Sequence, residues 1–219
     1  MKKVLVAPSI LAVWDRSKGD YEACIEAAKA VEAAGADWLH VDVMDGQYVP
    51  AKTFGAEMVE RLKKAVKIPL DVHLMVKTPE DVIADYIKTG ADRIVFHPSA
   101  SKKVEHCLEQ LWKHRVTAGL AIDADENVLQ LLPHLKLVQQ VLVMTVKAGA
   151  GGQALRDDLL AKVRGVRSLV GDDVPVVVDG GVKVENVARV KDAGADVVVA
   201  GSGVFNATDL KTVVDQLRK

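Results

Sequence analysis

The chain has 219 residues, 49% of them apolar, which is enough to bury the core of one sizeable domain. A formal charge of −1 and an aromatic content of 4% exclude a strongly basic, base-stacking surface, so no nucleic-acid partner is expected. No run approaches the roughly 20 apolar residues of a membrane-spanning helix, and the short run Val4–Ala7 stops at Pro8, so no membrane partner is expected and a cytoplasmic location is.

Eight strands are predicted in chain order: Val4–Ala7, Trp38–Met44, Leu70–Met75, Arg93–His97, Thr117–Ile122, Val138–Thr145, Val174–Asp179 and Val197–Gly201. Seven helical patterns separate them, and an eighth, Ala207–Arg218, ends the chain. Three joins carry the same tripeptide: Gly35-Ala36-Asp37, Gly90-Ala91-Asp92 and Gly194-Ala195-Asp196. Glycine there ends a helix and turns the chain into the next strand. Thr78-Pro79-Glu80-Asp81 predicts a helix start, with Thr78 as the cap, proline in the first turn and acids at the positive end of the dipole. Cys24 and Cys107 fall in helical patterns and are expected as buried thiols, not a disulfide. No Pro/Ser/Gly-rich linker divides residues 1–219, which are read as one domain. Strict β-then-α alternation implies a parallel sheet, and eight units in this length favour a closed (β/α)8 TIM barrel over a doubly wound sheet.

The second strand, "WLHVDVM", raises the chemical question. Period-two alternation puts His40, Asp42 and Met44 on one face and Leu39, Val41 and Val43 on the other. His73 ends the third strand in "LDVHLMV", and Asp179 ends the seventh in "VVVDGG". A barrel places its active site at the C-terminal ends of its strands, where these four residues fall. Strand seven lies three steps around the ring from strand two, so Asp179 is expected to face Asp42 across the mouth. Two imidazoles and two carboxylates suit one divalent transition metal ion: zinc, iron, manganese or cobalt. A single histidine on an apolar face is more often a hydrogen-bonded core residue. Four ionisable residues at one rim weaken that reading, because each would need its own buried partner.

Asp71 shares the parity of His73 and is read as a supporting partner, whereas Asp45 falls in a loop. His97 is read as either a substrate contact or a core residue, and His106, His114 and His134 as surface or packing residues in helical stretches. Met44, Met75 and Met144 end strands two, three and six. Each alone reads as core filler; together they suit an apolar cushion beneath a bound intermediate. Gly180-Gly181 after strand seven and Gly201-Ser202-Gly203 after strand eight occupy the loops where barrels often bind phosphate. Gly149-Ala150-Gly151-Gly152-Gln153 after strand six reads as a lid.

These motifs resemble one family. "APSIL", "LHVDVMDGQYVP" with "TFG" after it, "LDVHLMV", "VLVMTV", "GGQ", "VDGG" and "GSGVF" are similar, in order from Ala7 to Phe205, to ribulose-phosphate 3-epimerase. The resemblance implies a barrel of the ribulose-phosphate-binding type that interconverts D-ribulose 5-phosphate and D-xylulose 5-phosphate. It implies metal ligands at His40, Asp42, His73 and Asp179, with Asp42 and Asp179 as the acid/base pair. It further implies substrate contacts at Ser9 and His73, a phosphate held by Gly151, Gly152, Gly180, Gly181, Gly201 and Ser202, and a homo-oligomer. Inverting carbon 3 means taking a proton from beside the carbonyl and returning one to the opposite face, through an enediolate.

The sequence departs from the family pattern near the substrate. The lid reads Ala148-Gly149-Ala150-Gly151-Gly152 where the family has Pro-Gly-Phe-Gly-Gly, which implies a roomier or more mobile lid. Asp123-Ala124 with Glu126 replaces Asn-Pro and a following Thr, Ser99 replaces Glu, and Ala51 replaces Asn. A hexulose phosphate such as allulose 6-phosphate, or a weakly active phosphate-binding barrel, therefore stand as alternatives. A lyase on a similar barrel would centre on lysine and aspartate, and no lysine falls at a strand end with matching parity, since Lys147 and Lys183 fall in loops.

Overall fold

The computed structural model describes residues 3–219. The strands are β1 Leu5–Pro8, β2 Leu39–Met44, β3 Leu70–Met75, β4 Arg93–Phe96, β5 Thr117–Ile122, β6 Gln140–Met144, β7 Val176–Asp179 and β8 Val197–Ala200. The α-helices are α1 Leu11–Ser17, α2 Tyr21–Ala33, α3 Ala56–Ala65, α4 Pro79–Lys88, α5 Val104–Lys113, α6 Leu160–Val170, α7 Val187–Asp192, α8 Ser202–Phe205 and α9 Leu210–Arg218. All strand pairs are parallel, in the order β1-β8-β7-β6-β5-β4-β3-β2. A bridge between Ser9 and His40 joins β1 to β2, with Ile10 N donating to His40 O at 3.1 Å. The ring is the (β/α)8 barrel that the alternation predicts. No helix among the described residues is long and apolar enough to cross a membrane.

Strand pleating sorts the side chains into two cores. The outward residues Leu39, Val41 and Val43 of β2 and Val72 and Leu74 of β3 join a cluster with Cys24, Ala28 and Val31 of α2 and Met58, Val59 and Leu62 of α3. Those helical spacings put one apolar stripe on each helix against the sheet. The inward residues Ala7, Val95, Ala121, Leu142, Val177, Val197 and Val199 form a separate cluster inside the ring. Cys24 and Cys107 are buried free thiols, as expected.

The repeated tripeptide has one structural job at all three joins. Gly35, Gly90 and Gly194 take positive φ values of 86°, 81° and 108° at helix ends. Asp37, Asp92 and Asp196 then accept the backbone N–H groups of Val6, Leu70 and Val176, at 2.8, 2.8 and 2.9 Å. Each also meets a cation: Arg218, Lys63 and Arg167, respectively. The motif therefore satisfies backbone donors at the starts of β1, β3 and β7.

Several strand bounds shift by one or two residues from the sequence expectation, and these differences stand out. Between β5 and β6 the chain forms a 3-10 helix, Val128–His134, because Pro133 within it has no N–H for an α-helical bond. Strand β7 starts at Val176, beyond Val174, since Pro175 cannot donate to the ladder. The last helix starts at Leu210 and not Ala207, capped by Asp209, which accepts Thr212 N at 3.1 Å. Thr78 makes no side-chain cap bond, although Pro79, Glu80 and Asp81 open α4 as expected.

Candidate active site

One cleft at the C-terminal mouth gathers most of the predicted site. Ser9, Asp42, Met44, Met75, Met144, Gly151, Gly152, Asp179, Gly180, Gly181, Gly201 and Ser202 all line it. His40 and His73 are fully buried and do not line it. Two threonines pin the strand ends that carry the carboxylates. Thr53 Oγ1 donates to Asp42 O at 2.7 Å and accepts Met44 N at 2.9 Å. Thr145 Oγ1 donates to Gly180 O at 2.7 Å, just after Asp179.

Four ligand atoms, one from each of His40, Asp42, His73 and Asp179, lie within 4.8 Å of one another. Asp42 Oδ1 is 3.3 Å from both His40 Nε2 and His73 Nδ1. Asp179 Oδ2 is 3.8 Å from His40 Nε2 and 4.0 Å from His73 Nδ1. Bonds of ~2.1 Å to a tetrahedral ion would set its ligands roughly 3.4 Å apart, so the donor set fits a divalent metal with little adjustment. Each ring nitrogen on the far side has its own partner: His40 Nδ1 meets Asp71 Oδ2 at 2.9 Å, and His73 Nε2 meets His97 Nε2 at 2.9 Å. Such backing fixes the tautomer and aims the other nitrogen at the cluster.

The two carboxylates sit in unlike surroundings. Burial alone would raise the Asp42 carboxyl, but His40 and His73 outweigh it and hold the group well below its ordinary value. Burial, reinforced by the Asp42 charge, pushes Asp179 up to about 7. Burial opposes a charged His40 ring, yet Asp42 and Asp71 raise it well above its ordinary value. Burial lowers His73 to about 4, with His97 adding to it against the pull of Asp42. A divalent cation among the four would favour ionised carboxylates and neutral rings. Ser9 Oγ donates to the other Asp42 oxygen, Oδ2, at 2.7 Å, so that carboxylate is held from both sides.

Glycine is required at the rim. At Gly181, with φ of 67°, a Cβ would lie 2.1 Å from Leu155 N, and at Gly180 it would lie 2.6 Å from Val146 Cγ2. The loop over the cleft is tied at both ends. Gln153 Nε2 donates to the carbonyls of Lys147 and Ala150 at 2.7 and 2.8 Å, and Asp123 Oδ1 accepts Ala148 N at 3.2 Å. Asp123 and Glu126 share a turn closed by Asp123 N donating to Glu126 Oε2 at 2.9 Å, and Lys162 donates to three carbonyls of that turn. No lysine lines the cleft among the described residues.

Other candidates fall elsewhere. His97 is fully buried behind His73, with the Tyr48 ring 4.8 Å from it. Its Nδ1 makes no hydrogen bond, and Glu126 Oε2 lies 3.7 Å away at ion-pair distance. Asp71 supports His40, not His73, because the strand register pairs His40 with Asp71. Asp45 organises its loop, accepting the N–H groups of Gln47, Tyr48 and Lys77. His106 and His114 are exposed, and His134 is half-buried.

The ribulose-phosphate 3-epimerase family model matches residues 5–205. The chain belongs to that family. A ribulose-phosphate 3-epimerase from Serratia marcescens is 40% identical over 215 residues, covering 96% of this chain and all of that one. The Escherichia coli (strain K12) ribulose-phosphate 3-epimerase is 39% identical over 222 residues, covering 100% and 96% of the two chains. Among solved structures, a 3-hexulose-6-phosphate synthase superposes with a TM-score of 0.68 at 23% identity, covering 99% and 98%, which is a likeness of fold. Family membership makes the chain an epimerase-type isomerase, and its His/Asp cluster can hold a metal ion.

Proposed function

We propose that this cleft interconverts D-ribulose 5-phosphate and D-xylulose 5-phosphate by inversion at carbon 3, with Asp42 and Asp179 as the proton-transfer pair. The observation that carries this reading is the convergence of two carboxylates, from β2 and β7, on one buried cluster at the barrel mouth. Inversion needs one group on each face of carbon 3, one removing a proton as the other delivers one. Ser9 holds Asp42 Oδ2, which orients that carboxylate. Met44, Met75 and Met144 give the floor an apolar surface that keeps water from the reacting carbon. The glycine turns at Gly180-Gly181 and Gly201-Ser202, with Gly151 and Gly152 of the loop, would hold the phosphate, whereas His73, fully buried beneath the cleft, would serve as a metal ligand and not as a substrate contact. His40, Asp42, His73 and Asp179 would hold the metal ion, and zinc, iron, manganese and cobalt all suit such donors. When bound, the ion supplies Lewis-acid stabilisation of the oxyanion that develops as the proton leaves.

The test is turnover of D-ribulose 5-phosphate in heavy water. Formation of D-xylulose 5-phosphate with deuterium at carbon 3 is expected. Background turnover there, with rapid epimerisation of allulose 6-phosphate, would move the substrate to the hexulose class. Background turnover with both would leave a phosphate-binding barrel. Relatives named for the pentulose substrate at 40% and 39% identity favour the first outcome. Homo-oligomer formation, which the family resemblance implies, is read by light scattering on the purified chain.

A further inference from the structure

The interior of a barrel of this kind is normally filled with apolar side chains. Here a line of polar groups crosses it below the cleft. Arg93 of β4 directs Nη1 to Gln140 Oε1 at 3.3 Å. Gln140 of β6 directs Nε2 to Asp71 Oδ1 at 2.6 Å. Asp71 of β3 in turn meets His40 Nδ1 through Oδ2 at 2.9 Å. Gln140, Asp71 and His40 are all 0% exposed, so no solvent replaces the two bonds that join them.

The chemistry of each member leaves one arrangement. A guanidinium only donates, so the Gln140 carbonyl oxygen must face Arg93. The amide NH2 then points at Asp71, and an ionised carboxylate only accepts. Asp71 Oδ2 must therefore receive a proton from His40, which puts that proton on Nδ1 and makes Nε2, facing Asp42 and Asp179, the nitrogen that a bound metal would take. Arg93 is itself held at the other end, its guanidinium 4.0 Å above the Trp38 ring. Its buried Nε has no hydrogen-bond partner, so Gln140 Oε1 and the Trp38 face orient the group.

A second observation shows that the barrel is built around this line. Gly119 of β5 lies beside Gln140 in the register, between β4 and β6. A Cβ there would fall 2.7 Å from Gln140 Cγ and 2.3 Å from Val95 Cγ1. Its backbone is not in the left-handed region, so glycine is needed for space, not conformation. The missing side chain is the gap through which Gln140 passes over β5 to reach Asp71 on β3.

We propose that Gln140 and Arg93 are positioning residues for the metal-holding histidine His40, acting through Asp71 to fix its tautomer. This inference rests on the metal role given to His40 above. The experiment uses the full chain loaded with zinc, with histidine labelled by nitrogen-15. Two readouts are taken: zinc affinity by competition with a chromophoric chelator, and the His40 ring resonances by long-range proton–nitrogen correlation. In the wild-type protein, His40 is expected to show a proton-bearing Nδ1 with a strongly hydrogen-bonded, slowly exchanging proton. Gln140→Met keeps the length of the side chain and removes both its bonds. It is expected to weaken zinc binding about 10-fold, the low end for loss of an outer partner, and to move or broaden the His40 Nδ1–H signal. Arg93→Met is expected to cause a smaller change of the same kind, and it serves alone if Gln140→Met does not fold. Val95→Ala, at the same level of the barrel but outside the line, controls for looser packing and is expected to leave both readouts unchanged. Wild-type zinc affinity and an unmoved His40 signal in the folded Gln140→Met or Arg93→Met protein would overturn the positioning role. A wild-type chain that binds no zinc, iron, manganese or cobalt would overturn the metal reading itself and this inference with it.

Discussion

The two faces of β2 and β3 make the most informative contrast in the molecule. Both strands are buried along their whole length. Outward, Leu39, Val41, Val43, Val72 and Leu74 join the apolar cluster shared with the helix layer. Inward, the same strands present His40, Asp42, Asp71 and His73, every one with a polar partner. Burial is nearly the same on the two sides, so burial does not mark the site. The mark is the desolvation of ionisable groups, which persists only where each group is paired. The outer face holds the ring together, and the inner face uses the ring's rigidity to keep four donors within 4.8 Å.

That division can be broken from either side. The largest effect is expected inside: Asp42→Asn or Asp179→Asn should each lower kcat by about 10³-fold while the protein still folds. Steady-state kinetics with circular dichroism checks this, and full turnover in either variant would end the two-carboxylate mechanism. Removing bound metal by chelation should abolish turnover, and adding back zinc, iron, manganese or cobalt should restore it; activity indifferent to chelators would break the ligand assignment. On the outer face, Leu74→Ala removes a fully buried side chain and should cost about 2–5 kcal/mol of unfolding free energy. The KM of its folded fraction should stay near wild type; a change in KM without a loss of stability would mean that the two faces are not separable. Ser9→Ala removes one hydrogen bond from Asp42 Oδ2 and should lower kcat roughly 10-fold, within the range set by a lost bond to a charged group.

The smallest effect concerns acid stability. Burial would raise the Glu126 carboxyl, but His97, Ser99 and the Asp123 N–H outweigh it and hold it at about 2. A depressed carboxyl adds stability above its unfolded value and loses it as the pH falls toward the folded one. Stability contributed by Glu126 should therefore fade between about pH 4.5 and pH 2, and Glu126→Gln should flatten that part of the profile. Urea unfolding at pH 5 and pH 3 reads this directly. An unchanged slope in the variant would show that Glu126 is not coupled to folding.

The departures from the family pattern at Asp123, Glu126 and Ala148 are tied to one another and, unlike Ala150, do not line the cleft. Asp123 both closes the turn with Glu126 and tethers Ala148 at the start of the loop, and Ser99 faces Tyr48 at 3.5 Å. A sequence shows Ala150 in place of a bulkier residue, but the tethers from Gln153 and Asp123 come from folding.

The sequence by itself determined which residues face inward and, to within one residue, where the strands end. Period two is a local property of the pleat, so the parity of His40, Asp42, His73 and Asp179 is written in consecutive residues. The glycine-marked joins and the βα alternation are equally local, and they were enough for the barrel. Only the tertiary structure decided who stands beside whom. The register set Asp71 against His40 and not His73, and His97 behind His73. It also let Gln140, which no motif in the sequence singles out, reach Asp71 across a gap left by Gly119. Strand register and ring closure join residues dozens of positions apart, and no periodicity along the chain carries that information.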